Sequence, residues 1–337
     1  MREKVLLTAV LVGLFFLLQT AQAKDGKGLS TFWICWENDT LINTDRGFTN
    51  GFKLTWISQN INNPRNNGWY GGLPFVNKYG YTYAFSFSLR QDMFTPEDLK
   101  RVDLDVNDRP YAGYLAFELG IHSLNRNHMV FFSLSLGVVG PIAMAGKAQR
   151  FVHSFSRSPT PQGWQHQLKN ELAVQVQYQN KWRLAVLGRR KGFGLDFIPH
   201  VGGGLGNVYT YACTGLQMRL GWNLPHDFGV SLLRPGGSSG VGYFDRDTSR
   251  AGREYDGIYL FAAVDEQFVL RNIFLDGNTL QESHSVNKEK LTGNLQLGFG
   301  FRVSYFNVKA SYVFWSKLYK TQKHRQEYII IGLSLSF

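Results

Sequence analysis

The last ten residues of the chain, YIIIGLSLSF (Tyr328–Phe337), decide the fold class. Apolar side chains recur there at every second position and end on an aromatic residue, with Gly332, Ser334 and Ser336 between them. A period of two is typical of a β-strand. A strand that ends a chain leaves backbone groups unpaired unless the sheet closes on itself. The segment therefore predicts the final strand of a closed sheet.

The same period recurs along the chain from Leu29 onward, in segments separated by clusters of turn residues. An apolar face that alternates with a small or polar face over about ten residues is typical of transmembrane β-barrel strands. Strands of soluble β-sandwiches are usually shorter, about 5–6 residues. The terminal aromatic residue resembles the assembly signal of bacterial outer-membrane barrels. We therefore predict an all-β chain that forms a closed antiparallel transmembrane β-barrel. Clear examples of the pattern lie at residues 83–89, 115–121, 172–178, 295–303 and 308–314.

Composition narrows the class of protein further. The chain has 337 residues, of which 15% are aromatic, so it is neither disordered nor of low complexity. Its two cysteines, Cys35 and Cys213, exclude a disulfide scaffold and a multi-cysteine zinc site, and Cys35 is expected to be a small packing residue. The net charge of +11 favours an anionic partner such as lipopolysaccharide or phospholipid. Nucleic acid is not expected as a partner of an exported barrel.

The first 23 residues carry the features of a signal peptide. Arg2 and Lys4 form a basic head, residues 5–18 are apolar, and residues 21–23 (Ala-Gln-Ala) fit a cleavage site. The apolar part is shorter than the roughly 20 residues that a membrane-spanning helix needs. We expect residues 1–23 to be removed and residues 24–337 to form a single barrel domain in the outer membrane of a Gram-negative cell.

A barrel with both termini on the periplasmic side has an even number of strands, and its odd strands run outward. This places segments 40–46, 93–109 and 141–169 outside the cell. Residues 60–78 fit less well, because periplasmic turns are usually short. Strand ends between residues 195 and 290 are not assigned. The first six strands are predicted at residues 29–39, 47–59, 79–92, 110–122, 128–140 and 170–185.

The outer end of strand 1 and the outer start of strand 2 carry candidate metal ligands. Glu37, Asn38 and Asp39 come first, and Thr49 lies in the stretch that follows the turn. Carboxylate, amide and hydroxyl oxygens are the hard ligands that Ca²⁺ prefers. The alternative is a solvated hairpin tip, where such residues are common. Strict alternation sends Asn38 and Asp39 to opposite faces, so both serve one site only if the strand bends or ends there.

The loop at 141–169 carries the candidate base. Residues 146–155 predict a short helix that places Gln149 and His153, at i and i+4, on one face. A histidine beside bound calcium can activate water near neutral pH, although an ordinary surface histidine remains the alternative. Trp164 is expected in the outer aromatic girdle.

A basic pair, Lys100-Arg101, lies in the preceding outer loop. Basic groups at the outer leaflet can pair with the phosphates of a lipid substrate. The alternative is ordinary surface charge.

These motifs, in this order, resemble the lipid A 3′-O-deacylase (LpxR) family. Each motif is weak alone, but six in sequence on one exported barrel are specific, and they cover about half of the chain. They are Asn38-Asp39, residues 45–51 (DRGFTNG), residues 108–113 (DRPYAG), Gly140-Pro141, Gln149-x-x-x-His153 and Gly163-Trp164.

The resemblance implies a twelve-stranded barrel with its active site between the barrel wall and a helix of an extracellular loop. It also implies Ca²⁺-dependent hydrolysis of the ester-linked 3′ acyloxyacyl group of lipid A at the outer leaflet.

The resemblance also carries roles onto individual residues. His153 matches the histidine that activates water, and Asn38 and Asp39 match the Asn-Asp pair, with Asp39 as a calcium ligand. Thr49 and Gln149 match the hydroxyl and amide residues of the site, and Lys100-Arg101 matches a basic pair. Residues 154–162 contain no acidic residue to match one associated with some members.

Three functional hypotheses follow from the sequence. The first is a lipid A deacylase whose site faces outside, with lipopolysaccharide and outer-membrane lipids as its partners. The second is a non-catalytic, porin-like outer-membrane protein. The third is an outer-membrane phospholipase-type esterase, since the same calcium–histidine chemistry cleaves glycerophospholipid esters. A monomer is expected in each case.

Overall fold

The computed structural model describes residues 30–39, 47–62, 80–154, 160–188, 191–230 and 256–337. These residues form a closed barrel of twelve antiparallel strands in which each strand pairs with the next and the last pairs with the first. The strands are β1 Thr31–Asn38, β2 Gly47–Ile57, β3 Thr82–Thr95, β4 Ala112–Leu124, β5 His128–Val139, β6 Glu171–Trp182, β7 Phe193–Gly206, β8 Tyr209–Trp222, β9 Gly257–Asn272, β10 Leu291–Val303, β11 Phe306–Trp315 and β12 Glu327–Ser336.

Two short strands and a few helical turns complete the described fold. Ile61–Asn62 pairs with the start of β3, and Leu184–Leu187 pairs with β7. No helix of the described residues is long and apolar enough to cross a membrane. The helical segments are α1 Ala145–His153, α2 Ile273–Asp276, and single 3-10 turns at Pro141–Ala143 and Trp164–His166.

The predicted alternation is visible in the burial of neighbouring strands. Phe52, Phe87 and Phe117 are exposed on the outer face of the wall. On the lumen face, Lys53 of β2 donates to Glu118 of β4 over 2.8 Å, and both side chains are buried. A charge buried in a barrel needs such a partner, because its desolvation is otherwise too costly. The closed antiparallel barrel predicted from the sequence is confirmed.

The first six predicted strands are all present, with ends that differ by a few residues. The largest differences are three residues, at both ends of β3 and at the end of β6. Strand β3 was predicted to end at residue 92 and continues to Thr95. Its last residues keep the strand because helices α1 and α2 cover Met93 and Phe94 on opposite faces. The unassigned region 195–290 contains most of β7 together with β8 and β9. The leader at 1–23, residues 40–46, and residues 63–79 of the long turn lie outside the described residues.

The two ends of the barrel are distinguished by the chain termini. Ser30 and Phe337 exchange backbone hydrogen bonds at one end, which we call the terminus end. Helix α1 lies at the other, the loop end. At the terminus end, residues 224–230 fold back into the barrel, where Phe228 packs among buried side chains of β2 to β5. Lys181 of β6 donates to the carbonyl oxygens of Phe228 and Val230, and Lys309 of β11 donates to Asp227 over 2.6 Å. This segment therefore crosses the lumen.

Helix α2 covers the lumen at the loop end. Asn272 caps it by accepting a hydrogen bond from the N–H of Phe274 at 3.1 Å. The Phe274 ring stacks on Phe94 at 3.9 Å and meets Tyr114 edge-on at 6.0 Å. Because α2 follows β9 while Phe94 and Tyr114 belong to β3 and β4, this contact also bridges opposite walls.

Candidate functional site

Strand β1 ends at Asn38, and Asp39 follows in a bend with its side chain fully buried. The Asn38 side-chain amide donates to the carbonyl oxygen of Thr49 over 3.3 Å, and the backbone N–H of Asp39 donates to the same oxygen over 3.5 Å. The strand therefore ends between Asn38 and Asp39, where strict alternation would have sent the two side chains to opposite faces. A strand end at this point is what a shared site requires.

A β-bulge at Thr49 changes which face the start of β2 presents. Phe48 pairs with Phe94 and Asn50 with Met93, so Thr49 is the extra residue. Phe48 packs against Phe94 on the lumen side, with ring centroids 5.3 Å apart. The Thr49 hydroxyl lies 2.7 Å from the hydroxyl of Thr95, which shares the outer face with Met93. The bulge therefore adds Thr49 to the outer face of the wall.

Asn50 follows on the same outer face. Its side-chain oxygen accepts a hydrogen bond of 2.9 Å from the indole N–H of Trp36. Asn38 pairs with Asn50 across the β1–β2 ladder and lies two residues after Trp36, so it shares this face. The end of the wall thus carries Asn38, Thr49, Asn50 and Thr95 together on its outside.

Helix α1 lies against the outside of the barrel, over β3 and β4. The side-chain amide of Gln91 donates to the carbonyl oxygen of Ala143 over 2.7 Å, and Met93 is buried beneath Ala145. Gly113 allows the close approach, because a Cβ at this position would lie 2.6 Å from the Cβ of Ala145. The helix expected in this loop is present, at Ala145–His153.

One face of α1 is pressed onto the wall. Ala145, Gln149 and His153, spaced at i, i+4 and i+8, are all buried, and His153 retains only 8% of its exposure. Lys147, Arg150 and Phe151 are exposed on the other faces. Gln149 and His153 do share a face, as the spacing predicted. That face is turned toward the barrel wall, so His153 is not an ordinary surface histidine.

Trp164 holds Gln149 in place. Its indole N–H donates to the side-chain oxygen of Gln149 over 2.7 Å, and its ring packs against Tyr111 with centroids 5.0 Å apart. The expectation that Trp164 belongs to the outer girdle is wrong: it is buried between α1 and Tyr111, where Gln149 satisfies its N–H. The amide nitrogen of Gln149 is buried and has no hydrogen-bond partner among the described residues.

Lys100 and Arg101 lie in the loop before β4 and are exposed. The Arg101 guanidinium pairs with Asp105 over 2.6 Å. Arg101 also lines a pocket with Gly163 and His166, next to the turn that carries Trp164. The basic pair therefore lies at the rim of the loop end, apart from the contacts around Asn38 and Thr49.

Asp108, in the motif at 108–113, connects the loop after β3 to the loop before β12. The Tyr319 hydroxyl donates to the Asp108 carboxylate, whose other oxygen accepts from the N–H of Glu97 at 2.7 Å. Burial, and then the charge of Asp108, raise the pKa of Tyr319 above its usual value. Burial also lowers the pKa of Arg109 to about 10, and its guanidinium lies 4.7 Å from the centre of the Phe94 ring. Sequence reasoning gave this motif no structural role.

The described residues thus form two groups of predicted site residues. Asn38 and Thr49 lie on the outer surface at the end of β1 and β2, with Asp39 buried directly after Asn38. Gln149 and His153 lie on α1 over the adjacent β3 and β4. Sequence reasoning missed Thr95 and Met93, and it gave Gly113 no role although this residue ends the motif at 108–113. Their roles depend on the bulge and on the position of α1. The first two residues of the strand 2 motif, at 45–46, lie outside the described residues.

Comparison with known proteins identifies the family of this chain. The model of the family described as Outer membrane protein LpxR matches residues 7–337. This chain belongs to the LpxR family. The solved structure of LpxR from Salmonella typhimurium has 21% sequence identity and a TM-score of 0.71, and the match covers 91% of this chain and 100% of that one.

More distant barrels show less likeness than the LpxR structure. The β domain of the Bordetella autotransporter BrkA has 9% identity and a TM-score of 0.46, with 93% of this chain and 100% of that one covered. No curated protein matches the sequence. Membership of the LpxR family confirms the resemblance drawn from the motifs and supports a location in the outer membrane.

Proposed function

We propose that this protein is a lipid A 3′-O-deacylase that hydrolyses the ester-linked 3′ acyloxyacyl group of lipid A at the outer leaflet. The observation that carries the proposal is the position of α1, which buries Gln149 and His153 against the outer face of the wall. A lipid can reach a site on this face directly from the bilayer. Membership of the LpxR family supports the same reaction.

In this proposal His153 is the general base. It accepts a proton from the attacking water, a role typically worth about 10²–10⁴ in rate. The indole N–H of Trp164 donates to the side-chain oxygen of Gln149. This hydrogen bond fixes the orientation of the Gln149 amide group. We assign this amide to donate a hydrogen bond at the reacting centre, where buried and oriented donors stabilise developing negative charge.

The residues at the end of β1 suit Ca²⁺. Asp39 supplies a buried carboxylate, Asn38 an amide oxygen and Thr49 a hydroxyl oxygen, and these are hard oxygen donors. Two donors from the β1 end already converge on the carbonyl of Thr49, so the segment is fixed before any ion binds. Bound calcium would supply Lewis-acid stabilisation of the ester carbonyl. Asp39 is the proposed principal ligand.

Charge at the rim completes the proposed site. Lys100 and Arg101 would pair with phosphate groups of lipopolysaccharide, and the loop end would face outside the cell. Lys147 and Arg150 add two exposed cations on α1 itself.

The porin-like alternative receives less support than the deacylase. Residues 224–230 and α2 both cross the lumen, which disfavours a pore.

Mass spectrometry of lipid A from a host that expresses the protein tests the proposal. The wild type should remove one 3′ acyloxyacyl mass, and His153→Ala should leave lipid A intact while the barrel still folds. His128→Ala is the matched control, because His128 lies at the terminus end of β5, far from the proposed site, and should leave activity unchanged. Equal activity of the wild type and His153→Ala would contradict the assignment.

A second assay separates the two ester substrates. Purified barrel with Ca²⁺ in detergent should release fatty acid from lipid A and not from glycerophospholipid. Preferential cleavage of glycerophospholipid would support the phospholipase-type esterase instead. Release from neither lipid would leave the passive barrel as the better hypothesis.

A further inference from the structure

A second cluster of reactive side chains lies in the lumen, on strands β7 to β9 and away from the outer site. Potential ligand atoms of His200, Cys213 and Asp265 all lie within 4.8 Å of one another. His200 Nε2 and Asp265 Oδ2 are 2.8 Å apart, and Cys213 and Asp265 are buried. Imidazole, thiolate and carboxylate are the three ligand types that zinc sites use.

The strand register explains how these residues meet. His200, Gly215, Asp265 and Asn294 occupy one row across β7, β8, β9 and β10. Gly215 has no side chain to separate its two neighbours, and a Cβ there would lie 2.4 Å from Cε1 of His200. The imidazole therefore reaches across β8 to Asp265. Cys213 is the next lumen-facing residue on β8.

A second layer of hydrogen bonds fixes the carboxylate. Gln267 donates to Asp265 Oδ1 over 3.1 Å, and Tyr209 donates its hydroxyl proton to the side-chain oxygen of Gln267 over 3.0 Å. Outer partners of this kind are typical of metal sites, where they orient the ligands.

The neighbouring Asn294 provides an independent indication. Its amide nitrogen lies 3.5 Å from Asp265 Oδ1. Its side-chain oxygen is buried and has no hydrogen-bond partner within the described part of the chain. A buried amide oxygen next to the cluster is unfavourable unless it meets a donor or a cation.

We propose that His200, Cys213 and Asp265 bind a Zn²⁺ ion inside the barrel, with the side-chain oxygen of Asn294 as the fourth ligand. Bond lengths of about 2.0–2.3 Å in a tetrahedral site place ligand atoms about 3.3–3.8 Å apart. The ligand atoms of His200, Cys213 and Asp265 reach these separations with shifts of about 1 Å. Binding replaces the thiol proton of Cys213, which is released to solvent.

The ion would join β7, β8, β9 and β10 through side chains, on a part of the barrel that the proposed deacylase site does not use. Segments at both ends cover the lumen, so the ion would enter during folding. The site is therefore expected to stabilise the barrel without taking part in ester hydrolysis.

Refolding of the full barrel in detergent with Co²⁺ or Zn²⁺ tests the site. Cobalt bound to Cys213 gives a thiolate-to-metal charge-transfer band, which a calcium site built from oxygen ligands cannot give. We expect one tightly held ion per chain in the wild type and a higher unfolding temperature than after refolding with a chelator. Absence of the band in the wild type overturns the proposal, whatever the variants do.

The two cysteines provide a matched pair of variants. Cys35→Ser removes the other buried thiol, in β1, and should keep the band and the bound ion. Cys213→Ser should lose the band and the metal-dependent rise in unfolding temperature. Gln267→Leu should weaken binding about 10–100-fold, as loss of an outer partner does. Equal metal retention in Cys213→Ser and Cys35→Ser would show that the Cys213 thiol is not a ligand and would overturn the proposed site.

Discussion

The hydroxyl oxygens of Thr49 and Thr95 lie 2.7 Å apart on the outside of the barrel wall, although strict alternation from Lys53 assigns Thr49 to the lumen. The bulge at Thr49 reverses that assignment. As a result, the ends of β2 and β3 present polar groups to the same outer surface as Asn38. The proposed site thus depends on a local irregularity of the wall.

Removal of this hydroxyl pair should lower activity without unfolding the barrel. Thr49→Val keeps the side-chain volume and deletes one oxygen, so we expect at least about a tenfold loss of lipid A deacylation if that oxygen supports calcium or substrate. Thr55→Val is the matched control, since Thr55 pairs with Ser88 between the same two strands at 3.0 Å on the lumen side. A similar loss in both variants would mean that activity reports wall stability rather than the site.

The distance between α1 and the wall should control activity through Gly113. In Gly113→Ala the new methyl group meets Ala145 and pushes the helix outward. A displacement of about 1 Å can cost about 10²-fold in rate. Ala145→Gly removes the opposing methyl group, so the double variant should recover part of the activity.

The single variant Ala145→Gly controls for the separate effect of glycine at the first residue of α1, where it should cost less than the about 1 kcal/mol of a helix interior. Deacylation rates of the wild type, the two single variants and the double variant show whether the position of α1 controls activity. Additive losses in the double variant would show that helix position is not the cause.

Charge at the rim should affect substrate binding more than turnover. Arg101→Gln removes an exposed cation, and we expect KM for lipopolysaccharide to rise by up to about fivefold, because exposed pairs contribute about 0.2–1 kcal/mol. Arg126→Gln removes the same charge in the exposed turn between β4 and β5, at the terminus end, and should leave KM unchanged. Identical kinetics for Arg101→Gln and the wild type would remove Arg101 from the proposed site.

Alkaline pH should lower the stability of the folded protein through loss of the Tyr319–Asp108 hydrogen bond. Its pKa is raised in the folded protein, so the folded state keeps the phenol proton that the unfolded chain loses above pH 10. The stabilisation is therefore complete below pH 10 and is lost as the pH rises beyond it. Tyr319→Phe should be less stable at neutral pH by about 1.5–3 kcal/mol.

Urea unfolding of both proteins at several pH values measures this difference. We expect the curve of stability against pH to fall less steeply above pH 10 in Tyr319→Phe than in the wild type. Parallel curves would show that the Tyr319–Asp108 bond does not carry the alkaline loss.

The fold could be predicted because its rule is local. Alternation along β3, β4 and β12 needs only neighbouring residues, and the closed sheet follows from the need to pair every edge. Strand ends were less predictable, as the end of β3 shows, because Met93 and Phe94 are held in the strand by helices that follow much later in the sequence. The crossing of the lumen by residues 224–230 depends on contacts with distant strands and carries no local signal.

In the candidate site, too, local spacing could be predicted and contacts between distant segments could not. The spacing of Gln149 and His153 predicted a shared helical face, and that prediction is confirmed. The spacing did not show that the face meets the wall, since this depends on Gly113, nor that Trp164 lies beneath the helix. The roles of Asn38, Asp39, Thr49, Lys100 and Arg101 in catalysis and binding, and Ca²⁺ as the cofactor, stay predictions.

The segments that cross the lumen have a consequence for the proposed site. Phe228 and Phe274 each join opposite walls, so water and small solutes meet packed side chains at both mouths of the barrel. The described part of the barrel therefore has a packed interior at both ends. The proposed chemistry lies outside that interior, where it needs no open channel.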